Sequence, residues 1–195
     1  KTMNRTGELK RTTKETDIFI SLNLDGQGTY DIDTGIGFFD HMLELFAVHG
    51  NFDLTVKCKG DLMVDGHHTV EDVGIVLGKL INKLLADKKG IARYAEKTIP
   101  MDEALVRAVI DVSGRPFLVC DLDCTGVIGN FEAELTEEFF RALSTYGMIT
   151  LHLNKLGGKN IHHIIEAAFK AVSRALSASV GIVSDKIPSS KGIIE

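Results

Sequence analysis

The feature that most limits what this chain can fold into is that it is written twice. Phe19 to Thr34 (FISLNLDGQGTYDIDT) reads beside Val106 to Asp121 (VRAVIDVSGRPFLVCD). Each is a strand, a turn at Asp25-Gly26 or Ser113-Gly114, and a second strand, which is the pattern of a hairpin. Carried backward, the repeat sets Arg5 against Arg93 and Glu15 against Glu103. Next, His41 to Val56 (HMLELFAVHGNFDLTV) reads beside Glu138 to Leu153 (EFFRALSTYGMITLHL). Apolar residues recur there at helical spacing, Met42, Leu45 and Phe46 against Phe139, Ala142 and Leu143. Gly50 and Gly147 are expected to end these helices. Alternating strands follow, with Phe52, Leu54 and Val56 against Ile149, Leu151 and Leu153. Last, His67 to Ile81 (HHTVEDVGIVLGKLI) matches His162 to Leu176 (HHIIEAAFKAVSRAL), each an amphipathic helix.

Each half therefore reads β-β-β-α-β-α, and hairpins plus helices predict an α+β fold of internally duplicated half-domains with helix-covered sheets. The first half-repeat spans residues 1–89 and the second 90–183, leaving a tail, 184–195, outside the repeat. One half alone is marginal in core size, so the halves are expected to pack on each other and on further subunits.

Composition narrows the function classes. A net charge of −5 argues against broad nucleic-acid binding while leaving room for a local cationic pocket. No apolar run approaches the roughly 18 residues of a membrane helix, so no membrane partner is expected. Lys1 to Thr16 is polar and basic without an apolar core, so no secretory signal is expected either. Cys58, Cys120 and Cys124 lack CxxC spacing. Cys120 and Cys124 fall in a segment read as strand, on one face, and all three are expected to be buried reduced thiols of a cytoplasmic protein.

The chemistry sits in the repeated HHxxE. On a helix, Glu71 is three and four positions from His68 and His67, so it neighbours both imidazoles. The two histidines diverge by about 100°, since a turn holds about 3.6 residues, so one helix reaches two different metals, or one metal and a substrate. His162, His163 and Glu166 repeat the arrangement, and His41 and its counterpart Glu138 open the preceding helices. These eight residues make two sites of mixed nitrogen and oxygen donors, suited to manganese or another octahedral divalent ion. A structural zinc would more usually show cysteine or plain four-coordinate spacing, and strands this plain exclude a di-iron bundle.

Five ordered stretches also resemble one family: GFFDHML (Gly37 to Leu43), DGHHTVED (Asp65 to Asp72), DVSGRP (Asp111 to Pro116), GKNIHHIIEAAFKA (Gly158 to Ala171) and PSSKG (Pro188 to Gly192). They are similar to imidazoleglycerol-phosphate dehydratase of histidine biosynthesis, from about Arg5 to the C-terminus. The resemblance implies a ribosomal-protein-S5-domain-2-like fold, two manganese ions per subunit, and a homo-oligomeric cage of 24 subunits with sites between subunits. It implies ligands at His41, His67, His68, Glu71, His162, His163 and Glu166. Many family members carry histidine where this chain has Glu138, which leaves the eighth ligand open. It places Glu15, Arg93, Arg115, Ser189, Ser190 and Lys191 around a phosphorylated small-molecule substrate, with His49 and Lys170 in substrate-contacting stretches. Glu15, Glu71 and His49 are the expected catalytic residues. Forked arginine donors and a lysine point charge suit a phosphate, and the tail is expected to close over it.

The expected reaction, a dehydration of imidazole glycerol phosphate to imidazole acetol phosphate, removes water where no carbonyl acidifies the proton. Metal on both ring nitrogens would favour an imidazolate that expels the neighbouring hydroxyl and acidifies the next C–H. Glu15 is the first candidate for moving that proton. The rival class is a manganese-dependent hydrolase of a small phosphorylated substrate, told apart by whether the product gains or loses water. A metal-assembled scaffold would leave Arg93, Arg115 and Lys191 without a task.

Overall fold

A computed structural model describes residues 5–194; Lys1 to Asn4, which open the first half-repeat, and Glu195, which ends the tail, lie outside the described residues. In the first half, β1 (Thr6–Thr12), β2 (Thr16–Asn23), β3 (Tyr30–Asp33), α1 (Gly37–Gly50), β4 (Asp53–Gly60) and α2 (His67–Leu85) follow in order. The second half repeats them as β5 (Tyr94–Met101), β6 (Ala104–Asp111), β7 (Phe117–Asp121), α3 (Leu135–Gly147), β10 (Thr150–Gly157) and α4 (Ile161–Val180). A short hairpin, β8 (Val127–Ile128) and β9 (Phe131–Glu132), is inserted before α3. The two sheets have the same order, β1-β2-β4-β3 and β5-β6-β10-β7. Only the edge strands β3 and β7 run parallel to their neighbours, so this is the duplicated α+β fold read from the sequence.

The strands form because apolar residues alternate. Ile18, Ile20 and Leu22 on β2, and Val106, Ala108 and Ile110 on β6, are fully buried beneath the helices. That pattern corrects the repeat alignment of the hairpins by one residue: Ile18, not Phe19, is the counterpart of Val106. Backbone bonds agree, since the Leu24 N–H donates to the Arg5 carbonyl as Val112 N–H does to that of Arg93. A one-residue slip in a strand exchanges its two faces, and two apolar neighbours, Ile18 and Phe19, disguised the register. The pairing of Arg5 with Arg93 and of Glu15 with Glu103 stands.

Helix ends also differ from expectation. The long helices begin at Gly37 and Leu135, ahead of His41 and Glu138, because the Asp40 carboxylate accepts the Thr34 N–H (2.9 Å) and hydroxyl (2.5 Å) and α3 starts from the β8–β9 hairpin. Gly50 and Gly147 are the last helical residues, and the left-handed caps are Asn51 (φ 54°) and Met148 (φ 55°). Gly50 is required by space instead: a Cβ there would lie 2.3 Å from the Phe52 ring. Cys124 lies beyond β7, and all three cysteines are free and half-buried rather than buried. Burial pushes the Cys58 thiol up to about 11 and that of Cys120 to about 12, so both stay protonated.

The helices pair across the halves, α1 against α4 and α2 against α3. Along the second pair the backbones nearly touch. A Cβ on Gly78 would lie 2.8 Å from the Gly147 nitrogen, and one on Gly74 2.9 Å from the Ala142 Cβ. Phe39, Phe139, Phe140 and Phe169 stack through the centre at ring distances of 4.8–5.4 Å. At about 25 cal/mol per Å² of apolar surface, such rings dominate core energetics. Neither half buries this surface alone, and the crossing of halves brings distant histidines together.

Candidate functional site

Both HHxxE motifs open their helices, α4 with the side-chain N-cap Asn160 and α2 with Gly66 at the cap and Asp65 just before it. The Asn160 side chain accepts the N–H groups of His162 (2.9 Å) and His163 (3.3 Å), and Asp65 accepts that of His67 (2.8 Å). The paired rings point apart as helical geometry requires, with planes 83° apart for His67 and His68 and 79° for His162 and His163.

One donor group is assembled. Because α1 packs on α4, ligand atoms of His41, His162 and Glu166 lie within 4.8 Å of one another. The buried Glu166 carboxylate is 3.2 Å from His162 Nε2 and 3.8 Å from His41 Nε2. Phe38 packs edge-on against the His162 ring at 5.1 Å. Burial works to raise the Glu166 carboxyl, but the hydrogen bond and charge of Lys170, then His162 and His41, outweigh it and hold it below the usual range. Lys170, expected among the substrate contacts, is thus engaged by this carboxylate (Nζ–Oε1 2.6 Å). His49, in the last turn of α1, is shifted down by burial and by the nearby Lys170 and Arg174.

The other half is more open. His67 Nε2 is 3.4 Å from Glu71, but Glu138 does not complete a comparable group. Its carboxylate lies 4.0 Å from Arg141 and lines a cleft with Cys120 and Cys124. Among the described residues, only His41, His162 and Glu166 form a compact set of three such donors.

The second histidine of each motif faces carboxylates from the turns and strand ends of its own half. His68 Nδ1 lies 2.9 Å from Asp61 and its Nε2 3.8 Å from Glu15, and the bond to Asp61 raises its pKa. His163 Nδ1 lies 2.7 Å from Glu103, which also accepts the N–H groups of Asn160 (2.8 Å) and Lys159 (3.2 Å). With His163 the largest influence, Glu103 is pulled down to about 2. Glu15 and Glu103 thus occupy matching places, as the repeat indicated. Asp102 lies 3.9 Å from His163 Nε2, and the places of Asp61, Asp102 and Glu103 beside these rings were not expected, although the Glu15–Glu103 pairing pointed at one of them.

The cationic residues gather elsewhere. Arg93, Tyr94, Ser113, Arg115, Ser189, Ser190 and Lys191 line a cleft of about 570 Å³. Arg93 stands just before β5 with a left-handed backbone (φ 73°), and Arg115 follows the β6 turn. The tail is brought there by Arg93, whose Nη1 donates to the Pro188 carbonyl (2.8 Å). Five of the predicted substrate residues therefore share one cleft, while Glu15, His49 and Lys170 lie outside its lining.

A family model described as imidazoleglycerol-phosphate dehydratase matches residues 34–176. A Thermoanaerobacter pseudethanolicus protein of that name is 59% identical over 193 residues, covering 97% of this chain and 100% of its own. The crystal structure of the Staphylococcus aureus imidazoleglycerol-phosphate dehydratase superposes with a TM-score of 0.80 at 42% identity, covering 89% of this chain and 97% of that one. An IGPD structure from Pyrococcus furiosus gives 0.83 at 34% identity, over 95% and 99% of the chains. With its duplicated fold, its HHxxE pair and these likenesses, the chain belongs to the imidazoleglycerol-phosphate dehydratase family.

Proposed function

We propose that this chain is a manganese-dependent hydro-lyase that converts imidazole glycerol phosphate to imidazole acetol phosphate in histidine biosynthesis. The observation that carries the reading is the His41–His162–Glu166 group, in a chain that also builds a cationic cleft from Arg93, Arg115 and the Ser189–Lys191 tail. Two imidazoles and a carboxylate kept ionised by Lys170 suit a divalent ion of mixed nitrogen and oxygen preference. His41, His162 and Glu166 would hold one ion. His67 and Glu71 supply donors for a second, which Glu138 would join by turning from Arg141, and His68 and His163, turned away from their neighbours, supply donors to positions shared with other subunits. When bound, manganese supplies Lewis-acid stabilisation of negative charge on the substrate ring.

The remaining work falls to the chain. Arg93, Arg115, Ser189, Ser190 and Lys191 bind the phosphate and fix the glycerol arm relative to the ring. The hydroxyl next to the ring leaves and, gaining a proton, becomes water. The adjacent carbon then loses its proton, giving an enol that rearranges to the ketone. Glu15, exposed beside His68, is the carboxylate free to take that proton. The lining of the phosphate cleft includes none of the eight candidate ligands, which supports sites completed between copies in a 24-subunit cage.

The test is an assay of metal-stripped protein with imidazole glycerol phosphate, with and without Mn²⁺, following ketone formation. Manganese-dependent ketone is the expected result. Phosphate release, or no product from protein that binds manganese stoichiometrically, would refute the dehydratase reading. A Glu15→Gln variant that binds manganese and turns over normally would remove Glu15 from its role.

A further inference from the structure

We infer that Asp111, at the end of β6, is a positioning residue that sets Arg93 and Arg115 for anion binding. Among the described residues its carboxylate has no other partners. Oδ1 accepts Arg93 Nε at 2.8 Å and Oδ2 accepts Arg93 Nη2 at 3.3 Å, while Arg115 Nη2 stands 3.9 Å from Oδ2. With Nη1 held by the Pro188 carbonyl, three of the five donors of Arg93 are fixed, and the planar fork directs the other two. The Arg93 guanidinium also lies over the Tyr94 ring at 4.7 Å. Arg115 is otherwise loose, 66% exposed with only its own turn to bind, so Asp111 is the nearest charge restraining it.

The repeat shows that this carboxylate is not needed to build the turn. In the first half, strand partners Asn23 and Asp53 tie the β2–β3 loop through Asp53. In the second half, the matching partners are Asp111 and Thr150. There Thr150 ties the turn, its hydroxyl donating to the Arg115 carbonyl (3.0 Å) and lying 3.3 Å from Ser113 Oγ. The carboxylate has moved to the other strand, where it faces arginines alone. A negative group beside an anion cleft opposes the anion by charge, so its presence is explained by the shape it imposes.

This inference rests on the reading of the cleft as a phosphate site, and the opposed signs make a clean test. Inorganic phosphate is titrated calorimetrically into the metal-loaded protein, and KM and kcat are measured for dehydration. Asp111→Asn is expected to weaken phosphate and raise KM about tenfold, as befits disordered charge-assisted hydrogen bonds, with kcat nearly unchanged. Asp111→Glu should recover most of the loss. Arg93→Lys, which keeps the charge without the fork, should weaken phosphate similarly and serves if the Asp111 variants do not fold. Phosphate bound by Asp111→Asn as tightly as by wild type, or more tightly, would overturn the inference while leaving the cleft standing. So would a fall in kcat at constant KM. Phosphate that fails to bind the wild type, or binds an Arg115→Ala variant undiminished, would instead remove the phosphate reading and the inference with it.

Discussion

Asp53 gives the most exacting stability prediction, because one carboxylate closes a whole loop. Oδ1 accepts the N–H groups of Gln27 (2.9 Å) and Thr29 (3.1 Å) and the Thr29 hydroxyl (2.8 Å), and Oδ2 accepts the Asn23 amide (3.2 Å). The Gln27 N–H is the strongest influence and, with Thr29 and Asn23 outweighing the cost of burial, holds the carboxyl at about 2 instead of 3.8. At about 1.36 kcal/mol per decade of proton affinity, that difference is an upper bound of about 2.4 kcal/mol. Asp53 is partly exposed, so solvent screening reduces it to about 1–2 kcal/mol. The pKa is depressed in the folded state, so the stabilisation is complete above 3.8 and is lost as pH falls toward 2. Urea unfolding of metal-free wild type and Asp53→Asn, at one protein concentration and from pH 7 to 3, measures it. The variant should be less stable by about 1–2 kcal/mol at pH 7, with the gap constant to about pH 4 and narrowing below. A new amide facing Asn23 costs stability at every pH, so only the narrowing tests the charge. A gap that stays constant down to pH 3 would refute the reasoning.

Four further outcomes rest on the same structure. Asn160→Ala should lose the N-cap of α4, destabilising the protein by about 1 kcal/mol and weakening manganese binding in an equilibrium titration, because both histidines depend on that cap. Glu166→Gln should remove one manganese per chain by metal analysis with little change in circular dichroism; retention of both ions would disprove the assignment. Glu138→Gln should weaken only the second ion, so a titration in which the tighter site is lost would contradict the separation of the two. Gly78→Val forces a side chain against the α3 backbone and should cost about 1–3 kcal/mol, read as a lower urea midpoint.

The duplicated architecture was legible because it rests on local patterns: apolar alternation in strands, helical spacing around Phe46 and Leu143, and HHxxE at matching offsets. Register was less legible. Ile18 and Phe19 are both apolar, and only burial shows that Ile18 faces the core. The left-handed caps at Asn51 and Met148 escaped notice because the preceding glycines looked like the capping residues, whereas Gly50 is there to clear Phe52. The candidate donors were readable, but that His41 meets Glu166 was not, since it depends on α1 crossing to α4 rather than on spacing along the chain. Lys170 was expected only from a substrate-contacting stretch of the resembled family, and the helix places it on Glu166.

The two halves also show how a duplicated scaffold comes to hold different chemistry at equivalent places. Arg5 and Arg93 make the same set of contacts, a carboxylate on Nε and Nη2 and a main-chain carbonyl on Nη1. In the first half that carbonyl belongs to Val180 on α4 and the carboxylate to Asp25 in the turn, so Arg5 is 7% exposed and joins the halves. In the second half the carbonyl belongs to Pro188 of the tail, which lies outside the repeat, and the arginine, 13% exposed, lines a cleft with Arg115 and the tail. The tail therefore shapes the cleft beside Arg93. By taking the contact that α4 makes in the first half, it sets Arg93 beside Arg115, Ser189 and Lys191, the donors that the proposed phosphate site needs.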